Sequence, residues 1–417
     1  MPAPANRTLA QWLQYLESIH PSSIDMGLER VQTVAKALNL SFKDSTVITV
    51  AGTNGKGTTC KFLEQAALAQ NKTVAVYSSP HLLTYRERVR HNGELPPADA
   101  FCEAFTCLED TRGDTTLTYF EFGTLAAMKM MMDWQVDVVI LEVGLGGRLD
   151  ATNIIDPDLA VITTIDLDHQ DWLGDTREKI AVEKAGIMRP HIKAVIGERE
   201  PPSTLKEEVS RFNANALWAE QDFTVSDNGD NWDWQCRGVT LRAMPKPVIP
   251  LQNAATALAA LQQLGWMPDS DSVAHIIRQT VMPGRQQQLS DSPRVIVDVG
   301  HNPQATRQMM TWLTKYDYER LFIVAGMLKD KSVVETLVPF DGLDATWLLA
   351  TTSGPRGLSA EALQSGLPVS QQANSQTFAS VEEAYAFARS NCTQSDMIFV
   401  FGSFLTVADV LALHTDQ

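Results

Sequence analysis

The chain has 417 residues, which is too long for one ordinary hydrophobic core, so two or three domains are expected. Its formal net charge of −16 opposes non-specific binding to nucleic acid or anionic lipid, because both depend on clustered Lys and Arg. The five cysteines show no Cys-x-x-Cys spacing, and no apolar run reaches the roughly 18 residues that a membrane span needs. These features predict a cytoplasmic globular protein without disulfides or a zinc site. The lack of an exposed amphipathic stripe predicts a monomer.

The first half of the chain alternates short Val- and Ile-rich runs with segments of helical periodicity. The runs lie at 45–52, 72–79, 136–144, 159–165 and 194–198. In the segment 58–71 that follows the first run, Phe62, Leu63, Ala66 and Ala67 fall on one helical face. This alternation predicts an α/β fold with a parallel sheet covered by helices on both faces.

The pattern changes after residue 216. Segment 217–250 is typical of short antiparallel strands joined by Asn, Asp and Gly turns, and a helix is predicted at 253–264. A second series of predicted strands lies at 294–300, 320–326, 345–351 and 397–403. We therefore predict a larger domain over 1–285, a linker over 286–293, and a smaller, Rossmann-like α/β domain over 294–417.

A glycine-rich loop follows the first predicted strand and precedes an amphipathic helix. Its residues are Gly52, Thr53, Asn54, Gly55, Lys56, Gly57 and Thr58. Glycines let backbone N–H groups face a phosphate, the helix N-terminus adds its dipole, and a lysine adds a point charge. The spacing departs from G-x-x-x-x-G-K-[ST], but the order of strand, loop and helix favours ATP binding. The alternative is a tight turn that carries a surface lysine.

Several motifs together resemble one family of ligases. "GTNGKGTT", "SSPHL", "LEVGLGGRLDATN", "DHQDWLG" and "EKAGI" resemble the folylpolyglutamate synthase family, relatives of the Mur peptide ligases. "IDMGLERV" and "LTYFEFGTL" resemble its bifunctional bacterial members, which also make dihydrofolate. The resemblance covers about residues 11 to 408 and implies a P-loop, Mur-ligase-like ATPase domain followed by a smaller α/β domain.

The resemblance implies ATP-dependent ligation of L-glutamate to 7,8-dihydropteroate and to folates. A carboxylate attacks the γ-phosphate of ATP to give an acyl phosphate, and the glutamate amine then displaces phosphate. Both steps concentrate negative charge, which lysines and Mg²⁺ stabilise electrostatically. Two Mg²⁺ ions are expected, and the partners are small molecules only.

Four residues are predicted to be catalytic, namely Lys56, Glu142, His169 and Lys184. Glu142 ends an apolar run, where the carboxyl end of a parallel strand opens onto a ligand crevice, so it is predicted to bind metal. Its alternative role is to cap the following turn. The resemblance adds Ser79 and His169 as metal ligands and makes Lys184 a carbamylated lysine. From the residues alone, these three would be a loop serine, a structural histidine and a salt-bridged helix lysine.

Four residues of the second half are assigned to ATP by the resemblance. Asn253 would contact adenine, although it could instead be a helix N-cap. Arg285 would reach the phosphates, unless it is a solvated arginine. Asp298 would bind the ribose or orient the nucleotide, and His301 is the fourth residue assigned to ATP. This division of the ATP residues implies domain closure. Ser332 stands where the family more often has Asp.

The resemblance also implies a dihydropteroate site. Its residues are Ile24, Asp25, Met26, Thr118, Tyr119, Phe120, Glu121, Leu149, Asp150 and Ala151. An aromatic ring such as Phe120 can stack on a pterin, and a carboxylate can accept its amino protons. Alternatively, Ile24 and Phe120 are core residues.

Three other functions compete with this one. A Mur-type ligase acting on a nucleotide-linked muramyl peptide would need an extra N-terminal domain for the uridine nucleotide. Only about fifty residues precede the glycine-rich loop, which is too few for such a domain. A P-loop switch or motor would hydrolyse ATP without a carboxylate or amine substrate. A dehydrogenase is disfavoured because no G-x-G-x-x-G follows a strand and Lys56 would have no role.

Overall fold

The computed structural model describes residues 6–22 and 24–415, so the outer ends of the predicted domain ranges lie outside the described residues. The chain divides into two compact units. Unit 1 comprises Met1–Ile165 and Leu173–Val281, and unit 2 comprises Asp166–Trp172 and Met282–Gln417. Within the described ranges, no helix is both long and apolar enough to cross a membrane.

Unit 1 is built on a mixed set of strands and helices. The strands are β1 (Thr46–Ala51), β2 (Val74–Tyr77), β3 (Val89–His91), β4 (Val138–Glu142), β5 (Leu159–Ile162), β6 (Lys193–Ile196), β7 (Asn215–Trp218), β8 (Phe223–Asp227), β9 (Asn231–Cys236) and β10 (Val239–Pro245). The helices are α1 (Leu9–Leu16), α2 (Glu29–Ala37), α3 (Lys56–Ala69), α4 (Ala98–Arg112), α5 (Tyr119–Trp134), α7 (Arg177–Ala185), α8 (Ser203–Arg211), α9 (Leu251–Leu264) and α10 (Ser270–Gln279). The short helix α6 (Gln170–Leu173) belongs to unit 2 except for its last residue.

The main sheet has seven strands in the order β3-β2-β4-β1-β5-β6-β7. All neighbours are parallel except β3, which is antiparallel to β2. The five Val- and Ile-rich runs form β1, β2, β4, β5 and β6, so the predicted parallel sheet is confirmed. β3 and β7 were not predicted.

Helices cover both faces of this sheet, as the alternation of β4 shows. Val138 and Ile140 belong to the core that includes residues of α3, α9 and α10. Val139 and Leu141 belong to the opposite core, with residues of α1, α2, α4 and α5. A strand buried on both faces reads as a continuous apolar run, which is why it was visible in the sequence.

The predicted antiparallel strands of segment 217–250 form a separate three-stranded sheet, in the order β10-β9-β8. Trp232 and Trp234 of β9 are buried, and the Trp234 indole donates a hydrogen bond to the Ala255 carbonyl at 3.2 Å. This sheet therefore packs against α9, the helix that carries Asn253.

Unit 2 contains a second, smaller sheet. Its strands are β11 (Gln287–Asp291), β12 (Arg294–Asp298), β13 (Leu321–Ala325), β14 (Thr346–Ala350), β15 (Ser375–Phe378) and β16 (Met397–Phe401). Its helices are α11 (Pro303–Leu313), α12 (Val333–Leu337), α13 (Ala360–Ser365), α14 (Val369–Gln372), α15 (Val381–Asn391) and α16 (Phe404–Thr415). The strand order is β11-β12-β16-β13-β14-β15, and only the β11–β12 pair among these is antiparallel.

The segment predicted as a linker is part of this sheet in the structure. Residues Gln287–Asp291 form β11 and pair with β12. The boundary between the two compact units falls earlier, between Val281 and Met282. The domain ranges proposed from the sequence stay a prediction.

Candidate active site

The glycine-rich loop lies between β1 and α3, as predicted. Gly55 precedes α3 with φ +88°, and a Cβ at this position would lie 2.5 Å from Asn253 Oδ1. A Cβ at Gly52 would lie 1.8 Å from Thr163 Oγ1. Only glycine fits at either position, because the left-handed backbone and the close neighbours exclude a side chain.

Two threonines after β5 hold the loop in place. Thr163 Oγ1 donates to the Asn54 carbonyl at 2.6 Å, and Asn54 N donates to Thr164 Oγ1 at 3.0 Å. Thr53 N donates to the Thr164 carbonyl at 2.8 Å. These threonines were not predicted as site residues, although they stand at the carboxyl end of a parallel strand, where ligand crevices form.

Lys56 is the first residue of α3, and Gly57 and Thr58 complete its first turn. Lys56 Nζ donates to the carbonyls of Gly52 and Thr53 at 2.9 and 3.2 Å, so the ammonium group lies against the loop. Thr58 Oγ1 donates to the Gly55 carbonyl at 3.0 Å. A lysine, a helix N-terminus and a glycine loop together form a site suited to an anion.

Asn253 lies beside this loop rather than at a helix cap. Its Nδ2 donates to Thr58 Oγ1 at 2.8 Å, and the residue is 6% exposed. The N-cap of α9 is Pro250, so the alternative interpretation of Asn253 as the cap is wrong. Contact with adenine stays a prediction.

Gly55→Ala is expected to destabilise the protein by about 1–3 kcal/mol, because a residue other than glycine is strained at this backbone angle. It should also raise the KM for ATP, since the new methyl group displaces Asn253 from the loop. Calorimetry and steady-state kinetics measure the two effects. Gly265→Ala is the control: its φ is +76° with no atom within 4 Å of the new Cβ, so stability falls while the KM for ATP does not change.

Glu142 and Ser79 come together at the carboxyl ends of β4 and β2. Glu142 is 5% exposed, and Ser79 N donates to its Oε2 at 3.3 Å. β1 pairs with β4 on the side away from β2, and Val50 lies opposite Glu142 in the register. The carboxylate therefore lies at the carboxyl end of the sheet, where the glycine-rich loop begins. Burial raises the pKa of the nearby Cys60 thiol well above its usual value, and the charge of Glu142 raises it further.

Among the described residues, no cluster of three or more His, Cys, Asp or Glu side chains is arranged to hold a metal ion. A carboxylate and a hydroxyl are nevertheless the hard oxygen donors that Mg²⁺ prefers, and Mg²⁺ normally completes its shell with water and substrate phosphates. The Glu142 carboxylate and the Ser79 side chain are therefore donors of the right kind for such an ion, and the Ser79 backbone N–H brings the two residues together.

Lys184 is buried in the last turn of α7, with 3% exposure. The turn that follows β4 packs on the same helix: Arg148 N donates to the Glu183 carbonyl at 2.8 Å, and Arg148 pairs with the Glu183 carboxylate at 2.9 Å. Asn153 Nδ2 donates to the Gly186 carbonyl at 2.9 Å. The "LEVGLGGRLDATN" and "EKAGI" motifs are thus joined, and Lys184 is not a surface residue of α7.

The predicted dihydropteroate residues lie in three places of unit 1. Ile24, Asp25 and Met26 lie between α1 and α2 without regular secondary structure. Thr118 is the N-cap of α5, and Tyr119, Phe120 and Glu121 form its first turn. Leu149 and Asp150 precede a short 3₁₀ turn that begins at Ala151.

The aromatic and acidic members of this set are packed and hydrogen-bonded. The ring of Phe120 is 6.1 Å from that of Tyr77, and the ring of Tyr119 meets that of Tyr85 edge-on at 6.0 Å. Asp150 Oδ2 accepts hydrogen bonds from the backbone N–H groups of Gly144 and Leu145, at 3.0 and 2.9 Å. Burial raises the pKa of Asp150 despite these bonds.

In unit 2, Arg285, Asp298 and His301 lie together. Asp298 accepts hydrogen bonds from Gln286 N and Gly300 N, at 2.9 and 2.8 Å, and burial raises its pKa. Arg285 Nη1 is 3.8 Å from the Asp298 carboxylate. Burial lowers the pKa of His301 to about 3, so its ring is neutral at physiological pH.

His169 belongs to unit 2, next to a partly buried ion pair that the sequence did not predict. Lys331 Nζ donates to Asp168 Oδ1 at 2.7 Å and lies 3.5 Å from His169 Nε2. Burial would raise the pKa of Asp168, but Lys331, His169 and His301 lower it well below its usual value. Ser332 accepts a hydrogen bond from Gln170 Nε2 at 3.3 Å.

Two family models cover most of the chain. The Mur ligase middle domain matches residues 50–261, and the Mur ligase glutamate ligase domain matches residues 284–404. The Escherichia coli K12 protein named dihydrofolate synthase/folylpolyglutamate synthase is 46% identical over 408 residues, covering 97% of this chain and 94% of the relative. The chain belongs to the dihydrofolate synthase/folylpolyglutamate synthase family.

Solved members of this family have the same fold. The E. coli FolC structure in complex with DHPP and ADP superposes with a TM-score of 0.95 at 44% identity, covering 100% of this chain and 99% of that one. A bifunctional relative with Mn, AMPPNP and L-glutamate bound gives a TM-score of 0.92 at 43% identity, with 99% of both chains covered. The resemblance stated from the motifs is confirmed, as is the α/β fold.

Membership of this family decides among the alternatives. The chain is an ATP-dependent ligase, so the interpretations as a P-loop switch and as a dehydrogenase are wrong. The roles of individual residues within the site stay predictions.

Proposed function

We propose that the chain ligates L-glutamate to 7,8-dihydropteroate, making dihydrofolate, and to folates, lengthening their glutamate tails, with release of ADP and phosphate. The observation that carries this proposal is the placement of Glu142 opposite Val50. A buried carboxylate thereby lies at the carboxyl end of the sheet, where the loop from Gly52 to Thr58 begins. Phosphoryl transfer to a carboxylate needs an anion-binding loop and a metal-binding carboxylate at one place.

The reaction follows from what these groups can stabilise. An oxygen of the pterin substrate's carboxylate attacks the γ-phosphorus of ATP, and the bond to the ADP oxygen breaks. The glutamate amine then attacks the acyl carbon, phosphate leaves, and the nitrogen loses a proton. The loop N–H groups and Lys56 hold the phosphates and offset the negative charge that develops in the first step.

The chain uses ATP and a divalent metal, which we propose to be Mg²⁺ held by Glu142 and Ser79. When bound, the ion would offset part of the negative charge of the phosphates. His169 fits a second ion less well, because the Lys331 ammonium lies 3.5 Å from its Nε2. We also propose that Lys184 is carbamylated, which a carbamate signal in ¹³C NMR of the protein in ¹³C-bicarbonate would detect.

The remaining assignments rest on the resemblance and on position within each unit. We propose that Asn253 in unit 1 and Arg285, Asp298 and His301 in unit 2 contact ATP. Asn253 is hydrogen-bonded to Thr58 of the phosphate loop, which supports its assignment. The monomeric state and cytoplasmic location stay predictions.

Phosphate release by the purified protein with MgATP and L-glutamate tests the proposal. Release is compared with 7,8-dihydropteroate, with tetrahydrofolate and with no pterin. Glutamate-dependent release with both pterins is expected. Release with tetrahydrofolate alone would restrict the activity to tail elongation, and equal release without a pterin would contradict the ligase assignment.

A further inference from the structure

Arg30 joins two segments that are far apart in the sequence and that are both assigned to dihydropteroate. Its Nη1 lies 2.8 Å from Asp25 Oδ2, and its Nη2 lies 2.7 Å from Glu121 Oε1. Nη2 also donates to the Asp25 carbonyl at 3.2 Å. The guanidinium therefore holds both the side chain and the backbone of Asp25 against the start of α5.

The α5 end of this connection is rigid. Glu121 accepts a hydrogen bond from Thr118 N at 2.7 Å, and Thr118 Oγ1 accepts one from Glu121 N at 3.2 Å, so the two residues form a capping box. The Glu121 side chain is 5% exposed, against 27% for Arg30. Glu121 is therefore held in place by the start of α5, and the side chain of Arg30 reaches it from α2.

The other end of the connection has no regular secondary structure of its own. Residues 24–28 lie outside helices and strands, and α2 begins at Glu29. A planar guanidinium can bridge two carboxylates at once, which a lysine ammonium on a flexible stem does poorly. Arg30 Nε is buried without a hydrogen-bond partner, so the contacts of this side chain are those of its two terminal nitrogens.

We propose that Arg30 is a positioning residue that fixes the Ile24–Met26 segment on the first turn of α5 and so sets the affinity for dihydropteroate. This inference rests on the proposed function. Dihydropteroate has no glutamate tail, so contacts to its pterin and benzoate parts supply all of its binding. Loss of the bridge weakens dihydropteroate binding more than tetrahydrofolate binding, since the tail of tetrahydrofolate keeps its own contacts.

The test uses Arg30→Lys and Arg30→Met in the full chain, with kcat and KM measured for 7,8-dihydropteroate, tetrahydrofolate and ATP. Arg30→Lys keeps a positive charge beside buried Glu121 and therefore folds even if Arg30→Met does not. Arg30→Lys is expected to raise the KM for dihydropteroate about tenfold, with at most about a threefold rise for tetrahydrofolate. The KM for ATP should stay within about twofold of wild type.

Arg112→Met is the matched control. Arg112 pairs with Glu109 at 2.8 Å and contacts Tyr15, within the same helical layer but without contact to either predicted segment. It should lower the melting temperature without changing the ratio of the two pterin KM values. An unchanged dihydropteroate KM in Arg30→Lys, or an equal rise for both pterins, would overturn the inference. Failure of the proposed function is separate, since wild type would then show no glutamate-dependent phosphate release.

Discussion

Lys56→Met is expected to lower kcat about 10²–10³-fold, the loss typical of removing one preorganised electrostatic contact to the transition state. Methionine keeps the apolar stem of the side chain but carries no charge. The contacts of Nζ with the carbonyls of Gly52 and Thr53 show that the ammonium group lies at the loop that we propose to hold the phosphates. Because negative charge builds up as the γ-phosphoryl group moves, the loss should fall mainly on kcat.

Phosphate release at saturating MgATP, L-glutamate and 7,8-dihydropteroate measures this effect. Lys129→Met is the control, because Lys129 lies on α5 of the same unit and pairs with Asp133, whose side chain is 54% exposed. Its kcat should match wild type. A Lys56→Met variant that retained more than about a fifth of the wild-type kcat would contradict the role of Lys56, because such a loss is far smaller than that of one transition-state contact.

The parts of the fold that were predictable are those with a local sequence pattern. The strands of the parallel sheet are apolar along their length because both faces are buried, as Val138 to Leu141 show. β3 has three residues, one of them Arg90, and β15 has the sequence Ser-Gln-Thr-Phe, so neither gives an apolar run. Both pair at sheet edges, where tertiary context rather than propensity decides the structure.

The residues of the candidate site also divide into those that a local sequence pattern predicts and those that it does not. Glu142 was predictable because a carboxylate that ends an apolar run lies at the carboxyl edge of a parallel sheet. The Asp168–Lys331 pair joins residues 163 positions apart, and the Arg30–Glu121 pair joins residues 91 positions apart. The side chains of such pairs meet only after folding, so no spacing in the sequence predicts them. Asn253 was named through the resemblance, and its contact with Thr58 came only from the structure.

A buried ion pair next to the proposed Glu142–Ser79 metal site gives the largest expected effect on stability. Glu64 of α3 has no exposed surface, and its carboxylate lies 3.0 Å from Arg90 Nε of β3. Arg90 Nη1 donates to Ser78 Oγ at 3.2 Å, so the pair also holds the residue before Ser79. Glu64→Gln should destabilise unit 1 by about 3–5 kcal/mol, since it leaves the Arg90 charge buried without its counter-ion.

Calorimetry would detect this loss as a fall of roughly 6–20 °C in the melting temperature of unit 1. Lys61 Nζ also lies 2.9 Å from Glu64 Oε2, so the triple variant Glu64→Leu with Arg90→Met and Lys61→Met removes all three charges of the cluster and keeps the volume apolar. It should recover most of the stability, because replacing a buried pair by packed apolar side chains is often neutral or stabilising. Asp133→Asn, at an exposed pair, should change stability by less than about 1 kcal/mol. If the triple variant were as unstable as Glu64→Gln, an uncompensated Arg90 charge would not be the cause of the loss in Glu64→Gln, and this explanation would be contradicted.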